Sequence, residues 1–217
     1  YLFAKYMAAL GLLPTANFKR AECDHEALER KMLRYKHIVV SGWNVRFYDL
    51  FLKYRSEICD LFTIDPVYTE PVRQKMKCCD GIRLGVHIRR GDYAVWKDGI
   101  YCYSNETFAD YIQQFASIKE GQTIDVFLST NDATVTEDAF NQLIHNEYIH
   151  IHLLGGNAVE DLFMLSECDY IIGPPSTYSL VAAMYRDIPL CRMDQVQKNI
   201  LTMSDFKRFD YWFRIII

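Results

Sequence analysis

The segment Gly85-Val86-His87-Ile88-Arg89-Arg90-Gly91-Asp92-Tyr93 places an imidazole, two guanidinium groups and a carboxylate next to one another. An apolar run from Ile82 to Val86 leads into it, so it reads as a buried strand whose C-terminal end opens into a polar turn. In an open α/β sheet, ligands bind in the crevice beyond the carboxyl ends of the strands. The forked donors of arginine match the oxygens of a phosphate or diphosphate. His87, Arg89, Arg90 and Asp92 therefore read as an anion grip at a sheet edge.

Two further strand ends carry groups of the same kind. Phe127-Leu128-Ser129-Thr130-Asn131-Asp132 is an apolar strand closing in small polar residues that can hydrogen-bond a ribose or a base. Asp132, an acceptor only when ionised, matches the N–H donors of a guanine edge. Ile171-Ile172-Gly173-Pro174-Pro175-Ser176-Thr177-Tyr178-Ser179 ends a strand, turns on two prolines, and starts a helix at Ser176 or Thr177. A helix N-terminus offers free N–H groups and a favourable dipole to phosphate. Each group also has a structural alternative. Arg89 or Arg90 can pair with Asp92, Asp132 can cap a helix or close a turn, and Ser176 can be an N-cap only. Neither GxGxxG nor GxxxxGK[ST] occurs, which leaves a dinucleotide fingerprint and a P-loop without support.

The elements that must position these groups alternate. Strands are expected at Ile82–His87, Ile124–Leu128, Tyr148–Leu153, Tyr170–Ile172 and Ile188–Arg192. Helices are expected at Asn105–Ile118, Glu137–Leu143, Val159–Cys168 and Tyr178–Tyr185. Such alternation implies a parallel sheet covered on both faces, an α/β Rossmann-like domain over residues 81–217. The smaller N-terminal part, residues 1–80, reads as a helix at Tyr1–Leu12, an irregular stretch from Leu13, a helix at His25–Tyr35, a strand at His37–Ser41 and a helix over Phe47–Phe62 broken by Asp65-Pro66.

The 217 residues are 50% hydrophobic and carry a net charge of −4, which argues against a nucleic-acid binder acting through bulk positive charge. Seven cysteines without a CxxC pair point to reduced thiols in a cytoplasmic protein, and no Cys/His spacing suits zinc. No apolar run is long enough to span a membrane. The basic, aromatic C-terminus from Phe206 to Ile217 suits either peripheral membrane contact or packing back on the body.

His87-Ile88-Arg89-Arg90-Gly91-Asp92-Tyr93 resembles the first motif of the α-1,2-fucosyltransferases of glycosyltransferase family 11. A looser His-x-Arg-Arg-x-Asp form recurs in the α-1,6- and protein O-fucosyltransferases. Phe127–Asp132 is similar to the second motif. The run from Glu160 to Ile172, followed by Ser176-Thr177-Tyr178-Ser179, resembles the third. Ser41-Gly42-Trp43 through Tyr48, with Glu57 to Phe62, resembles the helix region before the first motif, and Tyr1–Gly11 the helix after the family's Gly-rich first strand. The chain departs from the pattern in lacking that strand, in Pro174-Pro175 and in Leu180-Val181.

The resemblance implies a GT-B fold and an inverting, metal-independent transfer of L-fucose from GDP-β-L-fucose to a hydroxyl of a galactose-containing glycan or lipid-linked acceptor, without a cofactor. On the matching positions, Arg89 contacts the donor diphosphate with Arg90 beside it. His87 lies by the nucleoside, Asn131 and Asp132 read the base, and Ser176 and Thr177 hold the β-phosphate. Asp92 or Asp98 deprotonates the acceptor. Two other readings stand beside it: a nucleotide-sugar-binding subunit that needs a partner for catalysis, and a transferase for another GDP-sugar.

Overall fold

The computed structural model describes residues 2–18, 24–42, 47–194 and 200–215. Tyr1, Cys23, Trp43, Ile216 and Ile217, which figure in the sequence argument, lie outside the described residues. The chain forms two compact units, Tyr1–Tyr54 and Arg55–Ile217.

The first unit contains α1 (Leu2–Ala9), β1 (Thr15–Asn17), α2 (His25–Arg34), β2 (Val39–Ser41) and α3 (Tyr48–Lys53). β1 and β2 pair in parallel. β1 falls in the stretch expected to be irregular, because Thr-Ala-Asn has no apolar alternation to announce a strand. Its anchors are the buried Ala16 and the following Phe18, whose N–H donates to the Ser41 carbonyl at 2.7 Å.

The second unit opens with α4 (Arg55–Leu61) and α5 (Pro66–Met76). The helix expected over Phe47–Phe62 is two helices, since Tyr54 leaves helical geometry while the apolar spacing continues past it. Asp65-Pro66, expected as a break, starts α5. The Asp65 carboxylate accepts from Val67 N–H at 2.9 Å, and proline suits the first helical turn.

Then come β3 (Ile82–Ile88), α6 (Asn105–Ile118), β4 (Ile124–Thr130), α7 (Glu137–Asn141), β5 (Ile149–His152), α8 (Ala158–Ser166), β6 (Tyr170–Gly173), α9 (Thr177–Arg186), β7 (Leu190–Arg192), β8 (Phe206–Lys207) and α10 (Phe209–Arg214). The expected alternation from Ile82 to Arg192 is present element by element. Ser104 caps α6, and that helix buries Phe108, Ala109, Tyr111, Ile112, Phe115 and Ala116, one face at helical spacing.

The strands form a six-stranded sheet in the order β5-β4-β3-β6-β7-β8, parallel except for β8. β3 and β4 are buried along almost their whole length, as strands covered on both faces must be. The chain runs outward from β3 through β4 to β5, then returns to the other side of β3 to lay down β6 and β7. The order therefore reverses between β3 and β6. A doubly wound sheet opens a crevice at that point, beyond the carboxyl ends of the strands.

The C-terminal segment packs back on the body. β8 pairs antiparallel with β7, Phe209 is buried, and Trp212 Nε1 donates to the Leu190 carbonyl at 2.7 Å. Among the described residues, no helix is long and apolar enough to cross a membrane.

Helix and sheet approach closely at Gly85, in the middle of β3. A Cβ there would stand 2.7 Å from Leu165 Cδ2 and 3.2 Å from Cys168 Sγ. Gly85→Val overpacks this contact and is expected to destabilise the fold by about 1–3 kcal/mol. Equilibrium urea unfolding measures it, and unchanged stability would contradict the close approach.

Candidate functional site

Side chains from the ends of four neighbouring parallel strands converge on the crevice. After β3, Arg90 is fully engaged. Its Nη1 lies 3.0 Å from Asp132 Oδ2, and its Nη2 donates to Asn105 Oδ1 at 2.5 Å. Its backbone N–H donates to Asn131 Oδ1 at 2.8 Å, while Asn131 Nδ2 donates back to the Arg90 carbonyl at 3.0 Å. The loop is thus fastened to the end of β4 at both the backbone and the side chain. Gly91 makes the turn that follows at φ +70°.

Arg89 points elsewhere. Its Nη2 meets Asp92 Oδ1 at 2.9 Å, and both side chains are substantially exposed, 38% and 59%. An exposed pair of this kind contributes roughly 0–1 kcal/mol, so Arg89 can exchange Asp92 for a stronger anion at little cost. Arg89 lines two cavities. One, of about 340 Å³, is walled by Arg89, Asp92, Tyr93, Trp96, Ser176, Thr177 and Tyr178. The other, of about 270 Å³, is walled by His87, Arg89, Ser129, Thr130, Asn131, Gly156, Ala158, Asp161 and Tyr178. Arg89 and Tyr178 belong to both walls.

The first cavity faces the start of α9. Ser176 is its N-cap, its Oγ accepting from Tyr178 N–H at 3.2 Å. The remaining first-turn N–H groups have no carbonyl partner inside the helix. Thr177 is exposed beside them. Tyr93 donates its hydroxyl to the Pro175 carbonyl at 2.5 Å. That bond ties the turn after β6 to the turn after β3, and gives Pro174-Pro175 a structural role.

The second cavity is flanked by His87, which is buried. Burial first, and then the charge of Arg89, lower its pKa from 6.5 to about 3, so the ring is neutral. His87 Nδ1 is buried without a hydrogen-bond partner among the described residues. A polar atom in that state costs about 1–3 kcal/mol until something pairs with it. Across the cavity stands Asp161, half-buried, its pKa raised by desolvation against hydrogen bonds from the Ser129 hydroxyl and the Thr130 backbone. Asn157 and Glu160 form a capping box that starts α8, and Asp161 projects from that first turn.

The structure therefore brings together Arg89, Asp92, Ser176 and Thr177 around one cavity, and His87, Arg89 and Asn131 around the other. Arg90, Asp132 and Asp98 line neither. Asp132 accepts from Thr134 N–H and Oγ1 on one oxygen and from Arg90 on the other, interactions that hold its pKa down. Asp98 lies in a left-handed stretch with Lys97, at φ +59°. Asp161, Tyr93, Trp96 and Tyr178 line the cavities without having been expected there from the sequence. The Gly155-Gly156-Asn157 turn after an apolar strand was the available signal for a fourth contributing strand end.

No family model matches the sequence, and no curated protein matches it. The fold does have solved counterparts. POFUT1 in complex with GDP-fucose is similar at a TM-score of 0.56 and 13% identity, over 75% of this chain and 55% of that chain. The Arabidopsis thaliana FUT1 variant in complex with GDP gives 0.54 and 12%, over 94% and 56%. The NodZ α-1,6-fucosyltransferase soaked with GDP-fucose gives 0.51 and 15%, over 82% and 63%. The chain thus spans between 55% and 63% of the length of these proteins and shares their GT-B-like α/β fold.

The burial of His87 carries a pH signature. The folded ring stays neutral down to about pH 3, whereas an unfolded one takes up a proton below 6.5. Its contribution to stability is complete above 6.5 and is lost as pH falls towards 3. Urea midpoints of the wild type should fall more steeply across that window than those of His87→Phe; parallel curves would contradict a buried neutral ring.

Proposed function

We propose that this chain is a glycosyltransferase that takes L-fucose from GDP-β-L-fucose and moves it, with inversion, to a hydroxyl of a galactose-containing glycan, forming an α-1,2 linkage. One observation carries the donor assignment: a single guanidinium, Arg89, stands in the wall shared by two adjoining cavities at the sheet's switch point. A nucleoside diphosphate has that division, a flat base and ribose joined to a dianionic bridge. Its diphosphate would lie between Arg89 and the first turn of α9, with Ser176 and Thr177 beside it. Its nucleoside would lie against His87 and Asn131.

The base pocket favours guanine through Asp161. A carboxylate accepts two hydrogen bonds side by side, which suits the N1–H and N2–H₂ edge of guanine and not the N3–H and O4 edge of uracil. The unpaired His87 Nδ1 supplies a further polar contact in the same wall. Asp132 and Arg90 then act from behind, as the pair that sets the loop on which Arg89 is carried.

Cleavage of the bond to the anomeric carbon puts negative charge on the leaving diphosphate while the sugar becomes oxocarbenium-like. A guanidinium and oriented N–H groups, fixed before the reaction, stabilise that charge without needing a metal ion. When Arg89 turns to the diphosphate it releases Asp92, which lines the same cavity and is the nearest candidate to take the proton of the acceptor hydroxyl. Free thiols at the six described cysteines suit a reducing, cytoplasmic setting. A second reading stands beside it, a nucleotide-sugar-binding chain that needs a partner for catalysis.

Titration of GDP-fucose against variants, with a galactoside panel for turnover, tests the proposal. Arg89→Ala should weaken donor binding by roughly tenfold to a hundredfold, the worth of a charged hydrogen bond. Arg90→Ala should cost more in stability than in affinity, and Asp161→Asn should erode the preference for GDP over UDP more than Asp132→Asn does. Equal, small losses for Arg89→Ala and Arg90→Ala contradict the diphosphate grip. Donor binding without fucose transfer selects the partner-dependent reading.

A further inference from the structure

Away from the crevice, the second unit holds a group of side chains that the transfer reaction does not use. Asp125, the second residue of β4, has a side chain only 4% exposed. Buried carboxylates are rare unless paired. Its Oδ2 accepts from Gly81 N–H at 2.9 Å, and its Oδ1 lies 2.9 Å from His152 Nε2. Cys79 Sγ lies 3.7 Å from that same His152 Nε2. The ligand atoms of Cys79, Asp125 and His152 all fall within 4.8 Å of one another.

Cysteine, histidine and aspartate together can serve as a nucleophile relay. A relay uses both ring nitrogens, one towards the nucleophile and the other towards the carboxylate. Here thiol and carboxylate approach the same nitrogen, and Nε2 has one proton or one lone pair to offer. Convergence on a single point is the arrangement of a coordination site. At tetrahedral zinc, metal–sulfur and metal–nitrogen bonds of about 2.3 and 2.0–2.1 Å set the sulfur–nitrogen edge at roughly 3.6 Å. The observed 3.7 Å matches that edge. The 2.9 Å between His152 and Asp125 is a hydrogen-bond length that opens by a few tenths of an ångström when a cation replaces the shared proton.

We propose that Cys79, Asp125 and His152 bind a divalent zinc-like cation through Sγ, Oδ1 and Nε2, with water completing the tetrahedron. A thiolate–imidazole–carboxylate set suits zinc or cobalt rather than magnesium or calcium. The surroundings fix the ligands. Gly81 N–H holds the second carboxylate oxygen, and a Cβ at Gly81 would stand 2.7 Å from it. His152 is stacked on Phe127, with centroids 4.9 Å apart and planes at 23°. Partners of this kind orient metal ligands. On binding, the Cys79 S–H bond breaks, the metal–sulfur bond forms and that proton leaves to solvent; the proton shared by His152 Nε2 and Asp125 is also released to solvent, and the ring, taking one from solvent at Nδ1, stays neutral with Nε2 free to bind.

The cation's role is structural. Cys79 sits in the link between α5 and β3, Asp125 on β4 and His152 at the end of β5, so one ion ties three segments together. Along β4, Asp125 lies roughly 16 Å from Thr130 at the crevice. The ion therefore takes no part in the proposed transfer.

The test uses the full chain freed of metal by a chelator and titrated with cobalt(II) and zinc(II). The expected result is one equivalent bound, a thiolate-to-cobalt charge-transfer absorption, and a thermal midpoint that rises with free zinc. Cys79→Ser should abolish the absorption. His152→Ala should weaken binding by more than the roughly tenfold typical of losing an outer partner. Both variants should retain the far-ultraviolet circular dichroism and GDP affinity of the wild type, which separates loss of the site from loss of the fold. Absence of the absorption in the wild type, its persistence in Cys79→Ser, or undiminished affinity in His152→Ala would each overturn the proposal.

Discussion

Two adjacent arginines at the end of β3 have opposite fates, and the crevice depends on that division. Arg90 is held by Asp132, by Asn105 and by the reciprocal clamp of Asn131 on its backbone. That network fixes where the chain leaves the sheet. Its neighbour Arg89 then has an exposed partner, Asp92, and a place in two cavity walls. A sheet that reverses its order at β3 and β6 supplies the opening. The Arg90 clamp decides which guanidinium faces it.

The remaining features act on the same opening. Tyr93 draws the turn after β6 towards the turn after β3 by bonding the Pro175 carbonyl, which brings the N-terminus of α9 to the anion side. Tyr178 bonds the Ala158 carbonyl at 2.6 Å and joins the starts of α8 and α9. The neutral His87 lies in the other wall, next to the cationic Arg89 that helps to keep it neutral. Positive charge is therefore concentrated on one group between the two cavities, while the net charge of the chain is −4.

Much of this was legible in the sequence because it is local. Apolar runs ending in polar turns gave β3, β4 and β6, and helical spacing gave α6 to its end residues. What was not legible depends on partners distant in the chain. The two guanidiniums look alike in sequence, and the positions of Asn105, Asn131 and Asp132 separate them. Asp161 lies within a recognisable motif, yet its place in the cavity follows from where β5 delivers α8. Pro66 read as a stop and is a start, because Asp65 caps the helix it begins. The apolar spacing from Phe47 to Phe62 passed through Tyr54, where the backbone breaks. Cys79, Asp125 and His152 have no metal-binding spacing along the chain; parallel pairing of β4 and β5 brings the last two within 2.9 Å.

In the proposed function the crevice recognises a guanosine diphosphate through Arg89 and the start of α9 on one side and the His87–Asp161 pocket on the other. Calorimetric titration of the unmodified chain with GDP, GMP and UDP tests both halves at once. GDP should bind at least about tenfold tighter than GMP, from the added charge-assisted contacts, and tighter than UDP by a similar margin. Equal affinity for GDP and GMP would contradict the diphosphate grip, and equal affinity for GDP and UDP would contradict the base pocket.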